Sequence, residues 1–281
     1  MAHGITGFDH AIVGVNDLEA SRDTWRRLGF VVTPRGKHIG WGTANYCIMF
    51  GANYVELLGV VDATQFVAGL DQRLREGGEG LLGLAYGIAD SAATVASLRA
   101  AGIRARDQDL ARELELPEGT VLPRFSLVHM AEGILPVLPL FLTAHLTPEL
   151  IRRDDWLVHP NGVIDLSAIT VVAPDPPALL PLCTQLFGEG SCNLTDSTLT
   201  VISGANALVL MPSEEAESIH PEMDDSAGQA ATLTFRTADL ARTALVLEAN
   251  GVPFVRALDH TISVAPARAN GVVAEFIDRA L

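Results

Sequence analysis

One pattern recurs four times along the chain, and a chain built from repeats must fold as repeats. An apolar strand-like run leads to an aspartate, and a helix-forming stretch then ends at a glycine. The copies read HAIVGVND then LEASRDTWRRLG, GLAYGIAD then SAATVASLRAAG, and TLTFRTAD then LARTALVLEANG. Asp17 to Gly29, Asp90 to Gly102 and Asp239 to Gly251 span the same interval. Aspartate placed so caps a helix N-terminus, and glycine suits the left-handed residue just past its end. A looser fourth copy, AITVVAPD then PPALLPLCTQLFG, runs from Asp175 to Gly188 and carries prolines where a helix's first turn tolerates them.

Strand-like runs follow the helices. Residues 31–34, 45–50 and 54–60 follow the first; residues 253–258, 261–265 and 272–277 follow the last, split by turn signals at Asp259-His260 and Asn270-Gly271. Modules one and four therefore read as βαβββ. Residues 104–130 look irregular, and the strands after Cys192 look short. The predicted fold class is α+β: tandem βαβββ modules, four in two halves, forming curved, mostly antiparallel sheets of about eight strands with helices outside. The halves are expected at 1–160 and 161–281, joined at the turn-forming run of residues 159–162.

Composition narrows the function classes. A hydrophobic fraction of 48% supports a real core, and a net charge of −15 with no Lys/Arg block argues against nucleic acid or an anionic membrane as partner. The N-terminus lacks the basic-then-apolar pattern of a signal peptide, and the apolar run 134–142 is too short to span a bilayer. Cys47, Cys183 and Cys192 are odd in number and show no metal-knuckle spacing, so a reducing, cytoplasmic setting is expected.

Several stretches together resemble the vicinal oxygen chelate superfamily: FDHAIVGV with His10, the repeated Asp-to-Gly helix, and NYVELLGV with Glu56. GKHIGWGTANY (36–46), LPLFLTAHLTPELIRRDDW (138–156) and HPNG (159–162) resemble its glyoxalase-like branch. The likeness is good over residues 5–172; beyond, only the repeat and GVVAEFID (271–278) carry it. It implies a divalent metal (Fe, Mn, Ni or Zn) in the concave cup, held from first and last strands. By that pattern His10 and Glu56 are ligands, and strand alternation independently turns His10 with Ile12, and Glu56 with Tyr54 and Leu58, each to one face. The carry-over then breaks. The positions equivalent to His10 hold Gly83, Ala168 and Thr232; Val209 stands at Glu56's place in module three, and Glu275 alone survives in module four. His145, ending the last strand of module two, is the available third ligand.

The residues leave other readings open. His10 reads equally as a core histidine bonded to a backbone carbonyl. Glu56, in an apolar strand, needs a metal, an arginine or a solvated cup to offset its burial. His38, Trp41, Thr43 and Asn45 form either a plain turn or a ligand-binding rim. The stretch 147–156 reads as a helix capped by Thr147; Arg152 and Arg153 on it either balance local acid or bind a substrate carboxylate. His3, His129, His220 and His260 read as surface or structural.

The expectation is a metal-dependent enzyme of isomerase, lyase or dioxygenase type acting on a small oxygenated metabolite, with His10 and Glu56 as catalytic groups and a homodimer possible. The alternative is a metal-free protein of the same fold that binds or sequesters a small molecule. In either case the site belongs to the N-terminal cup, and the C-terminal cup should be filled by apolar side chains.

Overall fold

In a computed structural model, which describes residues 2–131, 134–219, 221, 231–257 and 260–278, aspartates start the helices as the repeat predicts. Asp17, Asp90 and Asp239 each accept a hydrogen bond from the backbone N–H three residues on, at Ala20, Ala93 and Arg242. In the fourth copy Asp175 accepts from Ala178 N, and a short 3-10 turn precedes the helix proper. Gly29, Gly102 and Gly251, just past the other three helices, sit at φ of 87°, 80° and 66°, where a Cβ would be strained.

The first half runs β1 (Ile5–Val15), α1 (Leu18–Arg27), β2 (Gly36–His38), β3 (Thr43–Met49), β4 (Tyr54–Val60), α2 (Leu70–Gly77), β5 (Gly80–Ile88), α3 (Ser91–Ala100), β6 (Ala105–Leu116), β7 (Gly119–Val121), β8 (Arg124–Met130) and β9 (Leu140–His145). The second runs β10 (Val163–Val172), α4 (Leu180–Phe187), β11 (Cys192–Thr195), β12 (Thr198–Ser203), β13 (Asn206–Met211), α5 (Ser213–Ile219), β14 (Ala231–Thr237), α6 (Leu240–Ala249), β15 (Val255–Arg256), β16 (Thr261–Val264) and β17 (Val273–Ile277). Each half forms one sheet: nine strands in the order β2-β3-β4-β1-β5-β9-β8-β6-β7, and eight in the order β11-β12-β13-β10-β14-β17-β16-β15. In every module the first strand lies parallel to the last, which is the βαβββ pattern expected.

Several expectations need correction. Residues 31–34 form no strand; the second strand begins at Gly36. The stretch taken as irregular is a long hairpin, β6 against β8, whose exposed face is charged and so hides the alternation. Residues 147–156 are two separate 3-10 turns, Pro148–Leu150 and Asp154–Trp156. Thr147 stands at the N-cap of the first turn but makes no side-chain cap bond there; its Oγ1 accepts from Arg124 N instead. In the last module only Val255–Arg256 is strand where 253–258 was expected; Leu258, like Asp259 and His220, lies outside the described residues.

The hairpin changes the first sheet's shape. Besides its place beside β3, β2 pairs with β6, matching Gly36 with Leu114, Lys37 with Glu113 and His38 with Arg112. The sheet thereby closes on itself and encloses the inner faces of β1, β4, β6, β8 and β9. On its outer face, Phe8, Ala11 and Val13 of β1 join an apolar core shared by both halves, in which Trp25, Phe30 and Phe50 meet Phe235 and Phe276.

Two amides tie the halves in matching fashion. Asn206 Oδ1 accepts from Phe8 N at 2.9 Å, and Asn53 Oδ1 accepts from Leu166 N at 3.3 Å. Both also donate to Leu166 O. His159, in the connecting turn, accepts from Val31 N and donates to Met49 O. Among the described residues no helix is long and apolar enough to cross a membrane.

Candidate functional site

A cavity of about 300 Å³ lies inside the closed first sheet. Side chains at alternate positions reach it: His10 and Ile12 from β1, Tyr54, Glu56 and Leu58 from β4, Leu110 and Arg112 from β6. Phe125, Leu127, Phe141 and Thr143 complete an otherwise apolar wall. His38, Trp41, Thr43 and Asn45 also line it, so six of the residues singled out in the sequence share one chamber: these four with His10 and Glu56.

His10 is placed by a β-bulge. The register of β1 against β5 shifts between Phe8 and His10, leaving Asp9 as the extra residue. Strict alternation would send Asp9 and His10 to opposite faces; here Asp9 Oδ1 lies 2.7 Å from His10 Nδ1, and both residues are buried. Asp9 Oδ2 lies 2.7 Å from His145 Nε2. Burial opposes ionisation of Asp9, but hydrogen bonds from the two imidazoles hold its carboxyl well below the usual range. On the cavity side His10 Nε2 is 3.5 Å from Glu56 Oε2, and the imidazole stacks on Tyr54 with ring centres 4.5 Å apart.

Glu56 is 7% exposed. Its Oε1 accepts from Asn45 Nδ2. Burial works against the carboxylate, yet His10, His38, Arg112 and Asn45 together hold its pKa below the ordinary value. His38 is driven towards its neutral form by burial, and its Nδ1 is 2.9 Å from Thr43 Oγ1. Glu56's burial is offset in the first place by His10 and Asn45, with Arg112, itself 5% exposed, adding positive charge from the same chamber without forming an ion pair.

The remaining two candidates lie elsewhere. His145 shares a strand face with Phe141 and Thr143 but sits at the strand's end, against Phe125, turned to Asp9 and outside the cavity lining. Arg152 caps the β3–β4 turn, donating to Gly51 O at 2.9 Å and Ala52 O at 3.1 Å. Its carboxylate-binding role does not follow from that position. His3 is structural, between Ser97 and Gln185 O, whereas His129 lines the cavity against expectation.

A divalent ion does not fit this donor set. His10 Nε2 and Glu56 Oε2 have the spacing of two adjacent ligands, but His145 is bonded to Asp9 and the Arg112 guanidinium faces the same chamber. Among the described residues no three His, Cys, Asp or Glu side chains are gathered to hold a metal.

The second half repeats the scaffold without the Asp–His pair, keeping only Glu275 of the equivalent groups, opposite Thr234 on β14. β10 carries the same register shift, between Leu166 and Ala168, so Ser167 and Ala168 stand where Asp9 and His10 do. Pairing of β10 with β13 puts Val209 at Glu56's place.

A family model described as "Glyoxalase-like domain" matches residues 8–187. A hypothetical protein from Staphylococcus aureus shares the fold with a TM-score of 0.69 at 13% identity, over 97% of this chain and 99% of that one. A mutant of 4-hydroxymandelate synthase from Streptomyces coelicolor gives 0.58 at 15% identity, over 99% and 95%. A xylose isomerase-like TIM barrel/4-hydroxyphenylpyruvate dioxygenase fusion protein gives 0.61 at 15% identity, over 99% of this chain and 50% of that one. No curated protein matches the chain. At these identities the structural likeness speaks to the fold alone.

Proposed function

Because the chain belongs to the glyoxalase-like domain family, within the vicinal oxygen chelate superfamily, we propose that it is an enzyme moving a proton on a small oxygenated metabolite held in the N-terminal cup. The observation that carries this reading is the Asp9–His10–Glu56 chain opening into a largely apolar chamber. Ionised Asp9 can only accept, so a neutral His10 keeps its proton on Nδ1 and its lone pair on Nε2. Asn45 fixes one oxygen of Glu56 and leaves Oε2 as the basic atom. Glu56 Oε2 takes a proton from a carbon beside a ligand carbonyl and passes it to His10 Nε2, 3.5 Å away. Asp9 stabilises the imidazolium so formed. Return of the proton to a neighbouring atom of the ligand completes an isomerisation. Arg112 and His38 face the negative charge that develops meanwhile.

The isomerase and lyase forms of the sequence expectation rest on these groups. The dioxygenase form requires a redox metal, for which the donor set falls short. The second reading, a metal-free sequestering cup, draws support from the contacts that already engage the polar groups of the chamber, Asp9 with His10 and Asn45 with Glu56.

Solvent deuterium incorporation into a panel of small oxo- and hydroxy-compounds, followed by NMR, separates the readings. Wild-type protein should exchange at least one compound, and His10→Gln or Glu56→Gln should slow exchange by about 100-fold or more with the fold retained. Ligands that bind without exchange would establish the sequestering reading. Elemental analysis of untagged protein tests the metal: a stoichiometric divalent ion that disappears in Glu56→Gln would refute the metal-free form.

A further inference from the structure

Arg112 has too few partners for a buried cation. Its guanidinium carries five N–H donors and cannot lose its charge. Among the described residues its one side-chain hydrogen bond runs from Nη1 to Cys47 Sγ, a weak acceptor, at 3.4 Å. The face of the group lies over the Phe125 ring, 5.6 Å from its centre. Nε has no hydrogen-bond partner, and among the described residues no carboxylate comes within ion-pair distance. Among the described residues the one carboxylate lining the chamber, Glu56, is already engaged by Asn45 and His10.

The fold makes room for this group deliberately. Gly36 lies on β2, the strand paired with Arg112's own β6, and a Cβ there would overlap Asn45 Oδ1 and crowd Arg112 Nη1 at 3.1 Å. Two further polar atoms of cavity-lining residues, Asn45 Oδ1 and Thr143 Oγ1, are also buried without a partner. The cavity's formal charges are Arg112 and, at the exposed rim, Arg73, against the single carboxylate of Glu56. A chain of net charge −15 thus encloses a chamber with an excess of positive charge. Uncompensated burial of a guanidinium is costly, and proteins resolve the cost with a counter-ion.

We infer that the ligand of this cavity is a small carboxylic acid with an apolar or aromatic body, its carboxylate paired with Arg112 and its body against Trp41, Phe125 and Phe141. The assignment deepens the proton-transfer reading of the same site by naming its substrate class. A carboxylate offers the planar, two-oxygen acceptor that a guanidinium fork matches. The apolar walls exclude water from the pair and set the rest of the molecule near His10 and Glu56.

Calorimetry with phenylacetate and hexanoate against phenylacetamide and hexanamide tests this on the wild-type protein alone. The acids should bind at least about tenfold more tightly than their amides. Arg112→Gln should bring acid and amide within about twofold of each other, and Arg112→Lys should keep part of the preference. Equal binding of acid and amide by wild-type protein, or no binding of either up to about 10 mM, overturns the assignment. So does an Arg112→Gln variant that is folded by circular dichroism and keeps the full preference. Should Arg112→Gln fail to fold, the wild-type comparison and Arg112→Lys still decide. A protein that prefers the acids but exchanges no deuterium would refute proton transfer and leave the carboxylate site standing.

Discussion

His159 should make the protein's stability fall steeply as pH drops through the ordinary histidine range. Burial lowers its pKa from 6.5 to about 4, against the opposing hydrogen bond to Met49 O. The ring is packed edge-on to Phe30 and Phe50, and its Nδ1 must stay unprotonated to accept from Val31 N. Below pH 6.5 the unfolded chain takes up a proton here that the folded protein refuses until about pH 4. The folded state therefore holds its full advantage above that window and loses it as pH falls through it. From these two values the loss between pH 7 and pH 5 is about 2 kcal/mol, rising to about 3 kcal/mol once the folded form is also protonated. Equilibrium urea unfolding, followed by fluorescence of the buried Trp25 and Trp156, measures it. His38 and His129, both also lowered by burial, add pH dependence of the same sign, so the control is a variant. In His159→Gln the amide can still accept from Val31 and donate to Met49 but does not titrate. Its loss between pH 7 and pH 5 should be smaller than wild type's by about 2 kcal/mol. If variant and wild type lose the same stability, His159 is not held neutral and the reasoning fails.

Three other outcomes follow from the packing. Gly36→Ala should displace Asn45 and Arg112, weakening phenylacetate binding by about tenfold or more in calorimetry, while the melting temperature drops only a few degrees. Asn206→Ala and Asn53→Ala should each cost about 2–4 kcal/mol in urea unfolding, because each leaves a buried backbone N–H (Phe8 or Leu166) unpaired. Residues 1–160 expressed alone should show no cooperative thermal transition by circular dichroism, since Trp25, Phe30 and Phe50 lose Phe235 and Phe276 from their shared core.

What could be read from the sequence was what local chemistry writes. The Asp caps and the glycines beyond the helices depend on near neighbours and located four helices, while the His10–Glu56 pair came from the family resemblance, with the two-residue alternation of β1 and β4 agreeing that each faces one side. Arg112 stayed hidden because β6 reads ARDQDLARELEL, with charge on both faces. That it turns inward follows from β2–β6 pairing between segments far apart in sequence. One signal was present: Arg112 alternates with Leu110 and Leu114, the two leucines nearest it on the strand. Asp9 was missed for the opposite reason, since alternation assigns it to the wrong face and only the bulge brings it to His10. The sequence reading puts Arg152 on a helix, whereas it stands between two separate turns, Pro148–Leu150 and Asp154–Trp156.

The bulge also explains why the second half matters to a site to which, among the described residues, it lends no cavity residue. Slipping the register at Asp9 frees Phe8 N from the ladder, and Asn206 from the other half takes that N–H. In β10 the slip occurs at Ser167, and Asn53 takes Leu166 N in return. The bulge therefore persists where the aspartate and histidine do not, which marks it first as a joint between halves. Ser167 Oγ simply donates to Thr234 O, a local bond that any such joint accommodates. In the first half the same backbone kink carries two side chains that can share a proton, and the Asn206 clamp fixes the angle at which they meet. A loosened clamp, as in Asn206→Ala, should therefore disturb the Asp9–His10 contact, because Asn206 holds the backbone N–H of the residue just before Asp9.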